Sequence, residues 1–396
     1  MNDHTTKVLA FCLEEIPSAI VGVEKVLKYL NKKQSIDFRF RRSVEVKKAD
    51  IVWADVVIAI RSSESIEVNI IEQAKKNGRY IIYFLDDDLL NIPKESLSAV
   101  YFQQTNIRDN ITKNIRNADT LWTTNENIKS KYGVYTKSSH VIHVPIEDDD
   151  ICTFQDDNKK KQEIIIGFAG SKDHGEFLEI LLKDALLELS KQYKDTIRFE
   201  FFGAKPKFIE GNQLFTYIEY EDNYVSYRKK MSELNWDIAL APLIQSDFHG
   251  CKYFNKYIEY SSLGIPAIYS NVAPYIFVVK NRVNGILANN STKVWKKAIM
   301  ELVDDFQLRK TIVENSQKQL TQEFTMDFVT DSLIQKIPQI INYKAPLCRE
   351  KNVKMGNVAL IHYYYRVREI IIMHGWKTPG VIIVKLGKKI KHIVKA

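Results

Sequence analysis

Short apolar runs alternate with segments of helical periodicity along most of the chain. Lys7–Cys12, Val56–Ile60, Tyr80–Leu85 and Thr120–Thr123 read as strands, and Ala19–Leu30 and Ile66–Asn77 as helices. VVIAI and YIIYFL are apolar at every position. A strand reads that way when both faces of its sheet are covered, which is the usual state of parallel sheets. The run from Val141 to Pro145 closes this series, and the polar stretch Asp148–Gln162 reads as a linker. A second series follows. Glu163–Phe168, Arg198–Phe202, Asp237–Ala241 and Ile265–Tyr269 are its strands. Gly175–Gln192, Tyr224–Leu234, Tyr253–Leu263, Trp295–Phe306 and Gln307–Phe324 are its helices.

This order predicts an α/β protein of two doubly wound, Rossmann-like halves with a hinge near residues 145–163. Their ligand cleft is expected at the carboxyl ends of the strands. Residues 1–150 would form the N-terminal domain and 163–325 the C-terminal domain. Residues 326–342 would return toward the first domain, and 343–396 would be a basic amphipathic tail.

A chain of 396 residues suits two domains of ordinary size. Its four cysteines are scattered, which fits a reducing compartment and gives no metal or disulfide signal. The start of the sequence shows no secretory pattern, and no apolar run is long enough to span a bilayer. The net charge of +8 is unevenly spread. Residues 343–396 hold 12 Lys and Arg against 2 acidic residues, a net of +10, so the preceding 342 residues carry −2. That balance argues against a nucleic-acid-binding body. The stretch Val381–Lys395 sets lysines and apolar residues at helical spacing. It suits an anionic membrane surface, or a helix packed on the body with its lysines in water.

Candidate chemistry concentrates in three places. Ile164–Phe177 reads as strand, small-residue turn and helix. Gly170 lets backbone approach a ligand, and Ser171, Lys172 and His174 can supply donors to an anion, although such a turn can also merely join strand to helix. In Cys251–Ser270, Lys252, Lys256 and Glu259 stand at i, i+4 and i+7, which predicts one shared helix face. Lysines meet phosphate oxygens and a glutamate accepts from ribose hydroxyls; the same spacing also describes a solvated face with an ion pair. Asp86, Asp87 and Asp88 follow the strand YIIYFL, where they can contact hydroxyls or cap the next helix. No partner set for a metal accompanies them. His140, His143 and His174 are each candidate acid–base groups, although a structural role is the usual one for a lone histidine.

In order along the chain, GFAGSKDHGEF, FEFFGAKP, WDIALAPL, CKYFNKYIEYSSLGIPAIYS and VNGILANN resemble the nucleotide-binding domain of family 4 (group 1) glycosyltransferases, which have the GT-B fold. ADTLWTTNENIKSKY and VIHVPIED resemble the family's last N-domain segments, and FLDDDLLNIP is similar to an Asp-rich motif in some bacterial polysaccharide members. The resemblance implies transfer of a sugar from a nucleotide-diphosphate donor to a hydroxyl, without a metal or other cofactor and with retained anomeric configuration. Lys252 would bind the diphosphate and Glu259 the ribose, Gly170 and Ser171 would back the phosphates, and Gly203 would lie near the base. Asp86 or Asp87 would orient the acceptor or the donor sugar. Two positions depart from the pattern. Cys251 stands where the family commonly has a glutamate, and Glu15-Ile16-Pro17-Ser18 replaces a paired-glycine turn.

The expected protein is a cytoplasmic glycosyltransferase, peripheral at the inner face of the plasma membrane through residues 343–396. Its partners would be a nucleotide sugar and a lipid-linked saccharide. A non-catalytic GT-B subunit that binds a partner enzyme or glycan is the alternative. A polyol-phosphate polymerase would need a histidine-centred site in the second half, which the sequence does not show.

Overall fold

The computed structural model describes residues 4–14, 16–96, 98–146, 151–152, 163–171, 174–221, 223–355 and 367. Most of the linker 148–162 and of the tail beyond 355, with the stretch Val381–Lys395, lies outside them, as does Glu15 of the replaced turn. The chain divides into two compact units. The described residues of Met1–Ile142 and Thr330–Ala396 form unit 1, and those of His143–Val329 form unit 2.

Unit 1 is built on six parallel strands: β1 (Thr6–Cys12), β2 (Ile36–Arg42), β3 (Val56–Ile60), β4 (Tyr80–Leu85), β5 (Thr120–Thr123) and β6 (Ser138–Val141). Their order is β2-β1-β3-β4-β5-β6. β3 is buried along its whole length and β4 along all but its first residue. β2 (IDFRFRR) is an edge strand and mostly half-exposed, so no apolar run marks it in the sequence.

Unit 2 repeats the plan with β7 (Ile164–Ala169), β8 (Ile197–Phe202), β9 (Phe215–Ile218), β10 (Ile238–Ala241), β11 (Ala267–Ser270) and β12 (Ile286–Ala288). The order β12-β11-β10-β7-β8-β9 places the reversal of strand order between β7 and β10. In doubly wound sheets ligands bind outside the carboxyl ends of the strands at that reversal. The sequence reading of one long helix over Gly175–Gln192 gives way to two, Gly175–Leu181 and Lys183–Gln192. Among the described residues no helix is long and apolar enough to cross a membrane.

Candidate functional site

The carboxyl ends of β7 and β8 meet through two glycines. The Gly170 N–H donates to Phe202 O at 3.0 Å, and the Gly203 N–H donates to Ile218 O at 2.9 Å. Gly203 holds φ +83°, and a Cβ there would stand 2.4 Å from Gly170 O. Only glycine fits a left-handed residue this close to a neighbouring carbonyl. A Cβ at Gly170 would in turn meet His174 Nδ1 at 2.6 Å. Lys172 lies outside the described residues, while the Ser171 carbonyl accepts from the His174 N–H at 3.0 Å.

Across the reversal lies the helix Asn255–Ser262. It begins late because Phe254 has a non-helical backbone (φ −81°, ψ 47°). It ends in a Schellman motif: Gly264 is left-handed at φ +71°, the Ile265 N–H reaches Tyr260 O at 2.9 Å, and the Gly264 N–H reaches Ser261 O at 3.1 Å. Pro266 bars any continuation. Tyr260 fixes this helix on the switch point. Its buried hydroxyl accepts from the Ala169 N–H of β7 at 3.2 Å and donates to Leu240 O of β10 at 3.3 Å. Tyr260→Phe leaves both buried backbone groups unmet, so a loss of about 1–3 kcal/mol in unfolding free energy is expected by chemical denaturation.

Lys252 is not on that helix, which corrects the shared-face expectation. It follows the short turn His249–Cys251 in extended backbone (φ −67°, ψ 153°), with Nζ 4.6 Å from the centre of the Phe248 ring. Lys256 and Glu259 do share a helix face and pair at 2.9 Å, both about one-fifth exposed. The cations converge all the same. Burial, then the charges of Lys256, Lys252 and His249, lower the His174 pKa to about 4. His174 stacks on Phe177 with ring centres 5.3 Å apart, and Phe177 meets His249 edge-on at 5.0 Å. The strand ends, the glycine turns, Lys252, Lys256 and Glu259 thus form one partly buried, electropositive corner of unit 2. Cys251 beside it is fully buried.

The His174 shift has a consequence for stability. Its folded pKa lies below the unfolded value of 6.5, so the unfolded chain binds more protons between those pH values. Stability is therefore lost as pH falls from 6.5 toward 4, by about 3 kcal/mol at full extent. His249, also lowered by burial and by Lys252, adds in the same direction. Denaturation across this range is expected to show a shallower loss for His174→Gln than for the natural chain.

In unit 1 the three aspartates after β4 already have partners. Arg61 follows β3 in left-handed backbone (φ 47°). Its Nε donates to Asp86 Oδ1 and its Nη2 donates to Asp86 Oδ2 at 2.8 Å and to Asp87 Oδ2 at 3.0 Å. Burial would raise the Asp86 pKa, but the Arg61 charge and hydrogen bonds, with one from Ser18, hold it below the usual range. Asp88 is fully buried and accepts from Tyr132 Oη and from Lys131 Nζ at 2.8 Å. Arg61 stands 25 residues before Asp86, and no sequence motif announces the pairing. His143 packs among Tyr253, Phe254 and Phe324 of unit 2, and His140 is lowered by burial and by Lys336 and Lys129 in unit 1. Among the described residues no cluster of His, Cys, Asp and Glu can hold a metal.

No protein-family profile and no curated protein sequence matches this chain. Solved structures do. HepE from Anabaena, in complex with UDP and glucose, is 14% identical with a TM-score of 0.61, over 84% of this chain and 100% of that one. Sucrose-phosphate synthase from Thermosynechococcus elongatus is 12% identical with a TM-score of 0.56, over 85% and 99%. The lipopolysaccharide outer core galactosyltransferase WaaB is 12% identical with a TM-score of 0.55, over 84% and 99%. The likeness shows the fold: two six-stranded parallel sheets with flanking helices, as in GT-B proteins.

Proposed function

We propose that this chain is a glycosyltransferase using a UDP-sugar, and that the corner of unit 2 holds the donor. The observation that carries this is the Lys256–Glu259 pair on a helix that Tyr260 ties to the ends of β7 and β10, where the strand order reverses. HepE, a similar fold in complex with UDP and glucose, supports the nucleotide. Lys252 meets the diphosphate. Glu259 accepts from the ribose hydroxyls, and Lys256 holds its carboxylate in place. The Gly170–Ser171 turn with His174 backs the phosphates, Lys172 adds a donor, and Gly203 lets the base approach the backbone.

In the reaction the bond between the anomeric carbon and the diphosphate oxygen breaks as the acceptor oxygen bonds to the same face of that carbon. The acceptor proton passes to a phosphate oxygen. Negative charge grows on the leaving diphosphate, and a preorganised cation lowers the barrier there. Asp86 and Asp87 of unit 1 take hydroxyls of the acceptor or the donor sugar. Arg61 balances part of their charge, which suits them to neutral ligands rather than cations. The family resemblance supports retention, a lipid-linked saccharide acceptor and a role in bacterial surface polysaccharide. The basic tail supports a place at the inner face of the plasma membrane. A panel of UDP-sugars, with the product's anomeric configuration read by NMR, tests this reading. One donor consumed with retained configuration is expected; donor bound but never consumed favours the second reading, a non-catalytic subunit. Buried Cys251, where the family commonly has a sugar-side glutamate, is the observation behind that alternative.

A further inference from the structure

The basic character of this protein is not confined to its tail. Residues 25–48 hold nine Lys and Arg against Asp37 and Glu45, a net of +7. They supply the helix Lys25–Lys32, which carries Lys25, Lys28 and Lys32, then edge strand β2 and the start of the helix Lys48–Trp53. Arg39 and Arg41 share one carboxylate, Asp50, at 3.4 and 3.8 Å, and Arg42 pairs with Glu45. The Arg39 guanidinium also lies 3.9 Å over the Trp53 ring. Lys47 and Lys48 are exposed.

The same helix anchors the root of the tail. Arg79 donates to Ile51 O at 2.9 Å, to Val52 O at 3.1 Å and to Pro346 O at 2.9 Å. Around that clasp the Tyr343 hydroxyl reaches Gly78 O, the Ala345 N–H reaches Asp55, and the Lys354 N–H reaches Gln73. The strap buries Val353 but leaves Leu347 fully exposed, with Lys351 and Lys354 in water; Glu350 is its one acidic residue. Beyond it, residues 356–396 add a further net charge of +7.

We propose that this face of unit 1, made of β2, the Lys48–Trp53 helix and the 343–355 strap, lies against an anionic lipid bilayer, with Leu347 entering the interface. Charge complementarity and one exposed leucine among cations are what such a surface recognises. The proposal rests on the reading of the tail as membrane-bound. It adds that the folded body supplies a second contact, which fixes how unit 1 faces the lipid.

The test uses the full chain and vesicles of phosphatidylcholine with about one-third phosphatidylglycerol, read by co-sedimentation. Combined Lys47→Glu, Lys48→Glu, Lys351→Glu and Lys354→Glu is expected to weaken binding about a hundredfold. Leu347→Ser is expected to weaken it about tenfold. A control set of exposed lysines in unit 2, Lys229, Lys293, Lys297 and Lys318, changed to Glu, has the same net charge and is expected to bind nearly as the natural chain does. Equal losses in both sets, or none in the first, overturns the proposal. No binding by the natural chain, or binding of duplex DNA in place of vesicles, overturns it together with the membrane reading of the tail. UDP binding by the same preparations shows separately whether the donor site stands.

Discussion

Lys252→Ala is expected to cut sugar transfer by about a hundred- to a thousandfold at saturating donor, the usual effect of removing one group that stabilises developing negative charge. Lys252 is held by an extended segment after a short turn, with its ammonium over Phe248. It supports no helix, so thermal unfolding is expected to shift little, within about 0.5 kcal/mol. Lys256→Ala is expected to cost less, because Lys256 already shares its charge with Glu259. Initial rates with purified variants decide between them. Equal rates for Lys252→Ala and the natural chain would remove Lys252 from the site.

The second large effect is structural and falls on the same corner. Gly203→Ala places a methyl group in left-handed backbone, 2.4 Å from Gly170 O and 3.0 Å from the Tyr220 ring. The left-handed conformation alone costs about 1–2 kcal/mol for a non-glycine residue. The carbonyl belongs to the phosphate-backing turn and must also move. A combined loss of about 3 kcal/mol or more is expected by chemical denaturation, with nucleotide affinity falling as the turn shifts. A variant that unfolds and binds UDP as the natural chain does would show that these turns do not shape the site.

The fold was legible wherever burial is two-sided. β3 and β4 are apolar at every position, and so is the shorter β10 (IALA). β2 escaped because an edge strand with one wet side carries arginines where a central strand carries valine. The site was legible in its residue types and less so in its geometry. Lys252 was placed on a helix because i to i+4 spacing says nothing of Phe254, whose backbone delays the first turn. Arg61 and Tyr260 could not be read at all. Each matters through partners on other strands, Asp86 and Asp87 in one case and the ends of β7 and β10 in the other. Sequence distance hides such contacts, and only the strand order reveals them.

The most direct measurement is a calorimetric titration of UDP into the natural chain and into a Lys252→Ala, Glu259→Ala double variant. One site per chain with a dissociation constant on the order of micromolar is expected for the former, and at least about a hundredfold weaker binding for the latter. Heat absent from the natural chain for every nucleoside diphosphate tried, or the same affinity in both proteins, would contradict the assignment of that corner to a nucleotide.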